Sequence, residues 1–258
     1  MAFVNFVALV PLPSARVGRH DGERQVKFSP SSTARLTRHD RDRFAGGGVF
    51  DRIALAVCEA GCLPRKELYE AWEIARRARR LFRGGRVVDL ASGHGLLAQI
   101  MLILDDSSPR AVAIDRKQPP CAARVHEVLV AHWPRLAGRV SFVEGELDSI
   151  AIEPGDIVVA GHACGRLSDV VIDRASAAGA RVALLPCCHD FAACDAGSLE
   201  GWLDRAMAID VARAVRLQSR GYRVWTQSIP LEITPKNRLL LAARPATNAD
   251  RGRPVTPS

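Results

Sequence analysis

Arg86–Ile100, RVVDLASGHGLLAQI, is the stretch on which the reading of this chain turns. Val87–Leu90 is a short apolar run of strand type. Gly93 and Gly95 break it, and Leu96–Leu104 restarts with helical character. A strand, a glycine turn and a helix in that order make a nucleotide-binding half-unit, in which glycine lets the backbone approach a ligand where a Cβ would clash. Gly93-x-Gly95-x-x-Ala98 satisfies the dinucleotide pattern, and Asp115 follows Gly95 by 20 residues, as that pattern asks. Asp89 weighs the other way. A carboxylate four residues before Gly93 would repel a pyrophosphate and attract a cationic ligand.

The totals frame this stretch. A chain of 258 residues with 48% hydrophobic content suits one domain with extensions and a sizeable core. No apolar run reaches the roughly 18 residues of a membrane span. The start, MAFVNFVALVPLP, is apolar but lacks the basic residues of a signal peptide. Seven cysteines without regular pairing suggest reduced thiols and a cytoplasmic protein. The net charge of +8, carried mainly by arginine, suits a phosphate-rich partner such as RNA.

Outward from the glycine turn, the chain divides into four parts. Residues 1–48 read as a partly flexible arm, in which Arg16, Arg19, Arg24, Arg35, Arg38, Arg41 and Arg43 alternate with acids before Gly46-Gly47-Gly48. The arm is either a solvated linker or a grip on an acceptor's phosphates. Residues 49–85 form a helical extension: one helix over Val49–Cys62, with Cys58 and Cys62 on one face, and a second from Pro64 to Phe82. In the second, Glu67, Glu70 and Glu73 precede five arginines, an order that complements the helix dipole. Residues 86–245 alternate strands and helices, with further strands at Ala111–Asp115, Val140–Val143, Asp156–Ala160, Arg181–Leu185, Tyr222–Ile229 and Arg238–Ala242. Helices are expected at Cys121–Trp133, Leu167–Ala178 and Ser198–Ser219. This alternation predicts an α/β fold, a mainly parallel sheet covered on both faces, with an antiparallel edge from the closing pair. Residues 246–258 read as a disordered tail.

Asp89-x-Ala91-x-Gly93-x-Gly95 resembles motif I of the class I S-adenosylmethionine (SAM) methyltransferases, with Ala91 where the first glycine usually stands. The resemblance covers most of the chain and implies a Rossmann-like sheet of seven strands. It also implies SAM as cofactor, with Asp89 facing its amino-acid end, Ala91, Gly93 and Gly95 beneath the adenosyl group, and Asp115 on the ribose hydroxyls. Glu146 and Leu147 would bracket the adenine, and the Pro64–Phe82 helix would lie beside the site. His162-Ala163-Cys164-Gly165 and Pro186-Cys187-Cys188-His189 resemble a narrower subgroup. It includes the methyltransferase domain found beside a glutathione-transferase-like C-terminal domain and, more distantly, the tRNA 2′-O-methyltransferases.

These two segments follow the fourth and fifth strands, so His162, Cys164, Cys187 and His189 are the catalytic candidates. Three chemistries fit them. A histidine could take a proton from a hydroxyl. A thiolate, Cys187 first, could attack a pyrimidine ring. The thiols and imidazoles could hold zinc, although no Cys-x-x-Cys pair is present and adjacent Cys187 and Cys188 are ill-suited to share one tetrahedral ion, so no metal ligand is assigned. The expected function is methyl transfer to an acceptor, RNA first. A small-molecule acceptor, or a binding protein that kept the fold without the transfer, are the alternatives. Asp89 makes an NAD oxidoreductase the weakest reading. Acceptor atom and oligomeric state are not legible.

Overall fold

The computed structural model describes residues 28–245. Arg16, Arg19 and Arg24 of the arm, and the tail 246–258, lie outside the described residues. Seven strands form one sheet in the order β3-β2-β1-β4-β5-β7-β6. β1 is Val87–Leu90, β2 Ala111–Asp115, β3 Val140–Glu144, β4 Ile157–Ala160, β5 Arg181–Leu184, β6 Arg223–Ser228 and β7 Arg238–Ala243. β1 to β5 run parallel, while β7 is antiparallel to both β5 and β6, so the closing pair makes the antiparallel edge that the sequence predicts.

The helices are α1 (Val49–Ala60), α2 (Arg65–Leu81), α3 (Leu96–Leu104), α4 (Ala122–His132), α5 (Leu167–Ala178) and α6 (Arg205–Ser219). The period-2 geometry of a strand sorts alternate residues to opposite faces. Val87, Ala111, Ala113, Ile157 and Val159 face a core shared with α1 to α4. Their neighbours Val88, Ile114, Val158 and Ala160 face a second core with α5 and Leu217 of α6. The central strands are buried on both faces, which is why they read as continuous apolar runs. The order reverses between β1 and β4, so the crevice beyond their C-terminal ends is the expected ligand position.

Several boundaries differ from the sequence reading. α1 stops at Ala60 because Gly61 caps it in the left-handed conformation (φ 72°), so Cys62 lies outside the helix and not on the Cys58 face. Cys62 is instead disulfide-bonded to Cys121, the residue before α4. The packing of α1 on α4 brings the two Cα atoms to 6.5 Å, a pairing that the expectation of reduced thiols throughout did not foresee. The helix expected from Ser198 begins only at Arg205, where the Asp204 carboxylate accepts the Met207 N–H at 3.0 Å. The described part of the arm is held down: Leu36 and Phe44 are buried, Arg35 bridges to Pro64, and Arg38–Phe44 forms a 3₁₀ turn. Among the described residues no helix is long and apolar enough to cross a membrane.

Candidate active site

The glycine turn after β1 is built by two backbone hydrogen bonds and by left-handed residues. Ser92 N–H donates to Ile114 O of β2, and Gly95 N–H donates to Ser92 O. Gly95 stands at φ 66°, and a Cβ there would lie 2.6 Å from the Phe142 ring. Gly93, at φ 52°, has open space where a Cβ would project. The turn is therefore closed on the protein side and open on the other, a cradle for a flat ligand. Ala91 adopts φ 56° without being glycine.

The open side faces a cavity of about 590 Å³ whose lining includes Glu67, Ala91, Gly93, His94, Asp115, Glu146, Leu147 and His162. A narrow recess continues from it, sharing Glu67, Ala91 and His162, and reaches Glu70, Asp89 and Ser92. The structure thus brings the whole cofactor set of the sequence analysis (Asp89, Ala91, Gly93, Gly95, Asp115, Glu146 and Leu147) to the turn, the cavity and its recess. Asp115 Oδ2 accepts the Gly93 N–H at 2.8 Å. Asp89 is almost fully buried, and one carboxylate oxygen accepts the Ala98 N–H at 3.1 Å. Burial, with some repulsion from Asp115 and Glu67, pushes its pKa up to about 8. Burial also raises Glu70, whose nearest cation is the Lys66 ammonium at 3.5 Å. The Ser92 hydroxyl is buried without a hydrogen-bond partner.

Glu67, Glu70, Ser92 and His94 were missed as site residues. Glu67 and Glu70 were assigned to the dipole of α2. Their spacing with Ala71 and Ile74 held the signal, since i, i+3, i+4 and i+7 place all four on one stripe, and all four line the recess. His94 is held by Glu67, with Nδ1 2.9 Å from the carboxylate.

The second constellation lies on the same sheet edge, in the loops after β4 and β5. Gly165 N–H donates to Cys188 O at 3.0 Å, which ties the loops together. Cys164 Sγ and Cys187 Sγ lie 2.6 Å apart, and Cys188 Sγ completes a cluster in which all three sulfurs are within 4.8 Å of one another. The three sulfurs converge although Cys187 and Cys188 are adjacent in sequence. The contact with Cys187 lowers the Cys164 thiol pKa, and the contact with Cys164 raises that of Cys187.

The two candidate histidines separate. His162 is exposed and lines both the cavity and its recess. His189 does not line them. Its side chain is nearly buried and Nε2 lies 2.8 Å from the Asp210 carboxylate of α6. Asp210 also accepts from Arg213 and Arg238, and Arg213 reaches Asp169 of α5 and Gly165 O. This network pins both cysteine-bearing loops to α6.

Residues 66–195, half of the chain, match the family model of a methyltransferase domain. The chain belongs to that family. A methyltransferase domain of this kind takes SAM as its methyl donor, and the residues fit it. The open cradle at Gly93 suits a nucleoside, and the carboxylate-rich recess with its unpartnered serine suits a cationic amino acid group. No curated protein matches this methyltransferase domain by sequence. Solved structures with a similar fold include an O-methyltransferase family protein from Burkholderia thailandensis, 18% identical with a TM-score of 0.46. The alignment covers 81% of this chain and 63% of that one. The mitomycin 7-O-methyltransferase is also 18% identical, with a TM-score of 0.43 over 80% of this chain and 60% of that one. The ribosomal protein L11 methylase from Lactobacillus delbrueckii subsp. bulgaricus is 15% identical, with a TM-score of 0.42 over 68% and 76%. This chain thus spans less than two thirds of the first two proteins.

Proposed function

We propose that the protein transfers the SAM methyl group to RNA, at a hydroxyl whose proton is taken by His162. The observation that carries the RNA reading is a basic rim on the sheet edge that holds the cavity. Arg116 follows β2 and lines the cavity, Lys117 is next to it, Arg166 follows the β4 loop, and Lys236 precedes β7. All four are exposed, and none pairs with an acidic side chain among the described residues, although the Lys236 ammonium lies 3.5 Å from Cys188 Sγ. Cations that no internal acid neutralises suit a phosphate backbone passing over the pocket mouth.

Within the pocket, the roles divide by position. Asp89, Glu67 and Glu70 hold the cationic amino acid end of the cofactor. Asp115 takes the ribose hydroxyls, and Glu146 and Leu147 flank the adenine. His162 stands where recess and cavity meet, which is where an acceptor would approach the methyl group. Holding the two groups in line supplies most of the acceleration. His189 acts as a positioning residue, locking the loop that carries Cys187 and Cys188 through Asp210.

The test is transfer from methyl-labelled SAM into cell extract, separated into RNA, protein and small-molecule fractions. Label should appear in RNA and vanish with Asp89→Asn. Label confined to small molecules would overturn the RNA reading and reassign the rim to another role. SAM binding without label in any fraction would favour a binding protein that kept the fold. His162→Ala should cut turnover by about 10²- to 10⁴-fold while SAM affinity stays within a few-fold.

A further inference from the structure

We infer that Cys164, Cys187 and Cys188 form a binding site for a thiophilic metal ion, with zinc as its natural occupant. The inference is independent of the acceptor. It rests on the convergence of three thiols from two loops onto one point, with every sulfur within 4.8 Å of the others. Zinc–thiolate bonds of about 2.3 Å in a tetrahedral arrangement place the sulfurs about 3.8 Å apart. Cys164 and Cys187, at 2.6 Å, need to part by only about 1 Å to reach that separation. No other such group of three occurs among the described residues.

The surroundings are built to hold this geometry. The Gly165 N–H to Cys188 O hydrogen bond fixes one loop against the other. Arg213, almost fully buried, fastens the Cys164 loop to α6 through Gly165 O, while His189 and Asp210 fasten the Cys187–Cys188 loop to the same helix. Such outer partners orient metal ligands in known sites. The Lys236 ammonium lies 3.5 Å from Cys188 Sγ and offsets the single negative charge that three thiolates and one divalent cation leave. Binding releases the thiol protons to solvent. Three protein ligands leave a fourth position, and the exposure of Cys164 and Cys188 opens it to an external oxygen, nitrogen or sulfur ligand. The remaining cysteines take no part: Cys62 and Cys121 are joined to each other, and Cys58 and Cys194 are buried elsewhere.

The test uses the full chain, purified under reducing conditions without chelator and titrated with zinc against a chromophoric chelator. One zinc per chain is expected, and cobalt in its place should show a thiolate charge-transfer band with the visible spectrum of a tetrahedral ion. Cys164→Ser, Cys187→Ser and Cys188→Ser should each weaken binding by about 100-fold or more, at or beyond the upper end of what loss of an outer partner does. Cys58→Ser and Cys194→Ser should leave it unchanged. Circular dichroism identifies any variant that fails to fold, and Cys→Ala then replaces it. A reduced wild-type chain that holds no zinc at micromolar concentration overturns the site, as does zinc binding that survives Cys187→Ser. SAM affinity, measured in parallel, is expected to be intact in all three variants, which separates failure of the metal site from failure of the methyltransferase reading.

Discussion

Asp89 is placed where a carboxylate is costly until a cation arrives. Its folded pKa of about 8 lies above its unfolded value, so between about pH 4 and pH 8 the folded state binds more protons than the unfolded one. Stability attributable to this group is therefore greatest in acid and falls as pH rises, levelling off above pH 8. Asp89→Asn, which keeps the shape and cannot ionise, should melt above the wild type near pH 8.5 and level with it near pH 4, when thermal unfolding is followed across pH. The same variant should lose SAM affinity by about 10- to 100-fold in calorimetry, as loss of a charge-assisted contact does. Ala91 makes a second residue-scale case. A left-handed alanine costs roughly 1–2 kcal/mol, and part of that returns when glycine's extra freedom in the unfolded chain is counted, so Ala91→Gly should stabilise by up to about 1 kcal/mol in urea unfolding. The substitution restores the glycine usual in motif I, which makes the strain legible in the sequence beforehand. Glu67 and Glu70 were not legible in that way, since a dipole explanation for acids in the N-terminal half of α2 was already sufficient.

At the scale of elements, α6 is the clamp on which the site's second half depends. Arg213 lies almost fully buried between the partly buried carboxylates of Asp169 and Asp210, which keep Arg216 and Arg238 as partners when it is removed. Arg213→Met should cost about 1–3 kcal/mol in chemical denaturation, the range for hydrogen-bonded groups left short of a partner. The positions of β1, β2, β4, β5 and β7 were legible because each is a short, mainly apolar run bounded by glycine, proline or charge. The start of α6 was less so. Ser198–Leu203 contains apolar residues at helical spacing, yet Trp202 is 89% exposed and the helix waits for the Asp204 cap. The convergence of Cys187 and Cys188 on Cys164 was legible at the level of the sheet edge, since both segments follow strands that end there. The hydrogen bond from Gly165 N–H to Cys188 O, which ties the two loops together, was not, because the loops are 23 residues apart in sequence.

At the scale of the whole molecule, charge and covalent closure matter. If RNA crosses the basic rim, binding should weaken steeply with salt, and Arg116→Ala with Lys117→Ala should flatten the log affinity against log salt slope by roughly 1–2 units in filter binding. The Cys62–Cys121 bridge closes a loop of 59 residues, for which chain entropy predicts about 4 kcal/mol of stabilisation. That loop has a further property. It runs through α2, the glycine turn and Asp115, whereas Glu146, Leu147, His162 and the three-cysteine cluster lie beyond it. On the proposed roles, the residues for the cofactor's amino acid and ribose lie within a covalent ring, while the adenine-flanking Glu146 and Leu147, His162 and the cysteine cluster lie on the chain beyond it. A protease that nicks the ring should leave a single band on a non-reducing gel and two after reductant is added. A nick in the loops after β4 or β5 should release a fragment under either condition.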